Sequence, residues 1–246
     1  MNNIKGIHHI TAMTSSAEKI YQFFTDVLGL RLVKKTINQD DIHTYHLFFA
    51  DDIGSPGTDM TFFDFKGIRK GVKGKDEISR IGFRVLDDKG IDYWKKRLGH
   101  YEIDFKFTEL FNRKMLFFED FDGQEYAIVS DEKHPGVEGG QPWKKGPVPN
   151  EFAIIGLGPI FLRISDLDRM NQVLTGYLGF EDSHQEDHYH LYEVAKGGNG
   201  GSVIIEHTTD FNQAEPGYGS VHHMAFRIKD MESLNQWIEG LNTIGA

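Results

Sequence analysis

The dipeptide His-His occurs twice in the chain, at positions 8–9 and 222–223. Imidazole is the commonest metal-ligating side chain and titrates close to neutral pH. Ile-Thr-Ala follows the first pair and Met-Ala-Phe the second, so each pair opens a short segment with a strand signature. Successive strand residues point to opposite faces, so one histidine of each pair is expected to face a given pocket. A single strand histidine is ordinarily a hydrogen-bonded structural residue. Two pairs at matching places fit that explanation poorly, and if their strands lie side by side the imidazoles converge on one ion. The chain has no cysteine, which excludes disulfides, thiolate ligands and a cysteine nucleophile and leaves His, Asp and Glu to bind a metal.

The elements that would carry these residues are repeated. Four stretches share one phrase: GIHHITAMTSSAEKIYQFFTDVLGLRLVKK, ISRIGFRVLDDKGIDYWKKRLGHYEIDFKF, GLGPIFLRISDLDRMNQVLTGYLGFEDSH and SVHHMAFRIKDMESLNQWIEGLNTIG. Each begins as a strand. A helix cap follows: Ser15 or Ser16, Asp87 or Asp88, Ser165 or Asp166, and Asp230. An amphipathic stretch comes next, with Ile20, Phe23, Phe24 and Val27 at helical spacing. Three copies close on Leu-Gly (28–29, 98–99 and 178–179), where glycine suits a left-handed C-cap. The first three copies continue into further strands, so the repeat reads βαβββ. Residues 134–152, rich in Pro and Gly, read as a linker between a domain at 1–133 and a second at 153–246. The fourth copy reaches Ala246 just after its helix, and on this reading the chain is truncated.

The fourfold phrase, the HH-[IM]-[TA] openings and the Leu-Gly helix ends resemble the vicinal-oxygen-chelate superfamily, which includes glyoxalase I, fosfomycin- and bleomycin-resistance proteins and extradiol dioxygenases. The opening GIHHITAM, with the stretch that follows, is similar to MhqO-type ring-cleaving dioxygenases. The resemblance implies an α+β fold of paired βαβββ modules whose curved mixed sheets surround a cavity. It implies His9 and His223 as metal ligands, with His8 and His222 behind them or on the opposite face. The equivalent positions in the other repeats are Arg80 and Pro159, which leaves one metal per chain. It implies a third, carboxylate ligand from a C-terminal strand absent from this chain; Glu206 is a spare carboxylate that reads better as an ordinary strand residue. One shared metal favours pairing the first module with the fourth. Pairing first with second and third with fourth stays open at this point.

Two histidines and a carboxylate suit Fe(II) with open positions for substrate and dioxygen. The expected function is an iron-dependent, extradiol-type ring-cleaving dioxygenase that acts with O2 on hydroquinone- or catechol-like compounds, in aromatic catabolism or detoxification. The competing readings are a glyoxalase-like lyase or isomerase and a non-enzymatic binder of aromatic compounds. A general base for the phenolic proton is sought among His188, His190 and Tyr192, which alternation puts on one face, and among His43, Tyr45 and His46. The formal net charge of −10 argues against nucleic-acid and anionic-membrane partners. A cytoplasmic protein able to form a homodimer is expected.

Overall fold

The computed structural model describes residues 4–37 and 44–243. His43 lies outside the described residues. Two curled sheets carry the fold. The first has the order β13 (Ser220–Ile228), β1 (Ile4–Met13), β4 (Asp59–Asp64), β3 (Tyr45–Ala50), β2 (Arg31–Ile37). The second has the order β10 (Glu181–Glu186), β11 (Tyr189–Glu193), β12 (Ser202–His207), β9 (Gly156–Ile164), β5 (Glu77–Val85), β8 (Glu125–Ser130), β7 (Arg113–Glu119), β6 (Phe105–Leu110). Within the first three modules the opening strand runs parallel to the last, as β1 does with β4, β5 with β8 and β9 with β12.

Modules join through their opening strands, β1 to β13 and β5 to β9, both antiparallel. The first module is therefore paired with the fourth and the second with the third. The sheets cut across the two sequence halves, because β13 pairs with the far end of the chain. Residues 134–152 are pinned between the sheets: Gln141 donates its amide to Asp51, and Val137 and Val148 are buried.

One apolar core serves the helix-bearing faces of both sheets. Ile10, Phe49 and Phe62 come from the first sheet, and Phe83, Ile160 and Val203 from the second. Helix α1 (Ala17–Gln22) widens into a π-helical stretch, Phe23–Val27, that sends Phe24 into this core. Helix α3 (Leu167–Asn171) does the same through Gln172–Tyr177, while α2 (Asp88–His100) and α4 (Met231–Thr243) are regular. The caps resolve to Ser16, Asp87, Asp166 and Asp230, each accepting from the amide three residues on.

The Leu-Gly endings differ from expectation in one module. Gly29 and Gly179 adopt positive φ, 69° and 73°, after the π-helical stretches. Gly99 instead lies inside α2, and Glu102 takes the left-handed conformation at φ 56°. The regular helix runs further before it must turn, so the turn falls on a different residue.

Candidate metal centre

The opposite faces of the two sheets have different contents. On the second sheet this face is filled by a small apolar cluster that includes Met115, Val129, Phe161, Leu191 and Ile204. Beside it lies a buried ion-pair network. Arg163 reaches Glu77 at 2.7 Å, Glu206 at 3.4 Å and Glu125 at 3.7 Å, and Arg80 reaches Glu125 at 3.0 Å. Arg80 also lies 3.9 Å from the centre of the Phe117 ring. Glu206 is thus committed to Arg163. A cleft of about 910 Å³ is bounded on one side by Arg80, Glu125, Phe117 and Tyr189. It holds no histidine.

On the first sheet the same face carries the polar groups. His9 and His223 approach with Nε2 atoms 3.2 Å apart, their rings edge to face. The register explains this: His223 is the partner of Thr11, two residues along β1 from His9, so the two imidazoles meet diagonally across the β1–β13 pair. Simple alternation would send His8 and His222 away. The structure instead has register shifts in the β1–β13 ladder, between Ile7 and His9 and between Thr11 and Ala12, which leave His8 and His222 as extra residues. His8 Nδ1 then lies 2.9 Å from His9 Nδ1, and His222 Nδ1 lies 2.8 Å from His223 Nδ1. A ligand imidazole that donates through Nδ1 keeps the Nε2 lone pair for a metal. Both dipeptides therefore have the form of a ligand with its own orienting neighbour.

The surroundings keep these rings neutral. Burial, then the neighbouring His8, His223 and His46, pulls His9 down to about 4. Burial and His222 lower His223. Thr11, 1% exposed, lies 3.1 Å from His223 Nε2 and 2.8 Å from Thr61 Oγ1, and Thr61 in turn lies 2.9 Å from His46 Nε2. Asp59, opposite His9 in the β1–β4 register, has a buried oxygen, Oδ1, without a hydrogen-bond partner. Burial pushes its carboxyl up to about 6, against the pull of Lys34. Two neutral imidazoles with facing Nε2 atoms are a fitting donor set for a borderline transition-metal ion. Among the described residues no group of three His, Asp or Glu is arranged to hold one.

The other base candidates fall elsewhere. His188, His190 and Tyr192 belong to the second sheet, at or within β11, and are not brought to the His9–His223 pair. His188 precedes the strand, and Tyr192 is buried in the core shared by the helices. Tyr45 is exposed under Lys35, while His46 faces the site. Pro159 is buried in β9. Thr11 and Thr61 were not legible as site residues: Thr11 shares the His9 face by alternation, but Thr61 joins it only through a strand register.

This fold and these residues define a class. A sequence profile of the Glyoxalase/Bleomycin resistance protein/Dioxygenase superfamily matches residues 6–128, and the chain belongs to that superfamily. It is 37% identical over 240 residues to "Putative ring-cleaving dioxygenase MhqA" of Bacillus subtilis (strain 168), covering 95% of this chain and 75% of the relative. It is 28% identical to "Chlorohydroquinone/hydroquinone 1,2-dioxygenase" of Sphingobium indicum, covering 97% and 76% of the two chains. A crystal structure of a "putative dioxygenase" from Bacillus subtilis superposes with a TM-score of 0.89 at 32% identity, covering 99% of this chain and 76% of that one.

Proposed function

We propose that this protein is an Fe(II)-dependent ring-cleaving dioxygenase that uses O2 on hydroquinone- or catechol-like compounds. The observation that carries the reading is the meeting of His9 and His223, 214 residues apart in sequence, with facing neutral Nε2 atoms. The relatives' names support the reaction class. Fe(II), when bound there, supplies a path for electrons between an electron-rich ring and dioxygen. His9 and His223 would hold it, and His8 and His222 would orient them. The phenyl rings of Phe48 and Phe63 flank the site through His46 and give it an apolar wall suited to an aromatic substrate.

A third, carboxylate ligand is part of the proposal and is assigned to no described residue. We read the protein as a cytoplasmic enzyme of aromatic-compound detoxification. Among the described residues no helix is long and apolar enough to cross a membrane. We also read it as a homodimer, since β13 stands at the edge of its sheet.

Anaerobic Fe(II) loading followed by metal analysis tests the centre. One iron per chain is expected in the parent, lost in both His9→Ala and His223→Ala, together with oxygen uptake on hydroquinones. No iron in the parent, or iron retained in both variants, would overturn the shared site.

A further inference from the structure

We propose that His46 is the terminal proton acceptor of this site, reached from a bound phenolic hydroxyl through Thr11 and Thr61. That role rests on the ring-cleavage reading above.

Four side chains from four adjacent strands form one hydrogen-bonded row across the sheet: His223 on β13, Thr11 on β1, Thr61 on β4 and His46 on β3. The separations are 3.1, 2.8 and 2.9 Å, all within hydrogen-bond range. Thr11 and Thr61 are each 1% exposed, so bulk water does not compete for their hydroxyls. A hydroxyl donates one hydrogen bond while accepting another, so two in series pass a proton without net change. The row begins beside the paired imidazoles and ends at a base. The His46 ring is held at centroid distances of 4.0 and 4.3 Å from Phe48 and Phe63, with Nε2 directed at Thr61.

The step balances. The substrate O–H bond breaks and its proton joins Thr11 Oγ1. Thr11 passes its own proton to Thr61 Oγ1, and Thr61 passes its own to His46 Nε2. A phenolate and an imidazolium result, and nothing is oxidised or reduced. Lys34 from β2, His223 from β13 and His9 from β1 are the titratable groups that face His46 electrostatically. Burial, then His223 and Lys34, holds it at about 4, so it is neutral near pH 7 and its Nε2 lone pair is open to the Thr61 hydroxyl. The new phenolate offsets the charge of the imidazolium, and the weak basicity returns the proton once that phenolate is consumed. His46 touches no substrate; it acts through the two hydroxyls.

Kinetics of the iron-loaded enzyme with a hydroquinone test the relay. His46→Gln keeps an acceptor for the Thr61 hydroxyl but takes up no proton, so it separates a structural ladder from a proton path. The expected result is a kcat lowered about 100-fold in His46→Gln and Thr61→Val. KM should change little, and Thr61→Ser should recover most of the rate. The pH profile of His46→Gln should also lose a limb present in the parent. Parent-like rate and pH profile in His46→Gln would overturn the relay. Absorbance titration of bound 4-nitrocatechol supplies a readout independent of turnover. In the parent its hydroxyl should ionise at lower pH than in His46→Gln. If the parent cleaves no hydroquinone, the ring-cleavage reading fails by itself. Equal titrations in parent and variant would then overturn the relay separately.

Discussion

Arg163→Ala is expected to destabilise the protein by about 3–5 kcal/mol at pH 7.5, because it leaves buried carboxylates without their cation. The Arg163 side chain is 6% exposed and is shared by Glu77, Glu125 and Glu206. Glu125 keeps Arg80 and Lys73, but among the described ion pairs Glu77 and Glu206 have Arg163 alone as cation. Burial already raises Glu77 above its ordinary value even with Arg163 in place. Removing the guanidinium raises it further. A carboxyl whose folded pKa lies above its unfolded value favours folding at low pH and loses that contribution as pH rises through the folded value. The deficit of the variant should therefore shrink toward pH 4.5. Urea denaturation of parent and variant at both pH values measures it. An equal deficit at the two would assign the loss to packing against Phe211, 4.8 Å from the guanidinium, and not to charge.

Asp59→Asn should act in the opposite direction. Burial pushes Asp59 from 3.8 up to about 6, and one of its oxygens has no hydrogen-bond partner. The ionised form is therefore disfavoured in the folded protein, and the parent loses stability as pH rises from about 4 through 6. Asparagine does not titrate. Whatever fixed cost the amide brings, the stability of the variant relative to the metal-free parent should grow by about 2 kcal/mol between pH 4 and 7.5, since each tenfold change in an acid constant is worth roughly 1.4 kcal/mol and part of the change already lies below pH 4. Thermal or urea unfolding across that range reads the difference. A difference that is flat with pH would show that water or Lys34 already compensates the carboxylate.

Equivalent places in the sister sheets thus behave differently. Asp59 is the strand partner of His9, and Glu125 is the strand partner of Arg80. Around Glu125 arginine and lysine side chains neutralise the carboxylate and an apolar cluster fills the adjoining face. Asp59 stands opposite His9 in the register, feels the charge of Lys34, and has one carboxylate oxygen without a hydrogen-bond partner. One sheet face is filled by apolar side chains and ion pairs; the other carries imidazoles, hydroxyls and one carboxylate oxygen without a hydrogen-bond partner.

Much of this was legible in the residues. The βαβββ phrase disclosed strand and helix order because the periodicity changes from two to 3.6 at each cap. The caps themselves were readable to within one residue because Ser and Asp side chains satisfy the free amides of a first turn. The His-His pairs marked the two modules whose imidazoles meet. Which strands pair, and in what register, was not readable, because those contacts join residues far apart in sequence. The ladder from His46 to His223 depends on three such registers. Nor did alternation foresee His8 and His222 turning back onto their neighbours, since a bulge inserts one residue without changing the local pattern of residue types.

The pairing of β1 with β13 also sets an order of events during synthesis. His9 leaves the ribosome 214 positions ahead of its partner. The second and third modules, which pair with each other, are complete before β13 is made. Long-range strand pairing of this kind is slow and leaves an unpaired edge while it waits. Until β13 arrives, one edge of β1 stays open, and His9 and His223 cannot meet. A pulse of refolding followed by hydrogen exchange should accordingly find the amides of β5 and β9 protected earlier than those of β1.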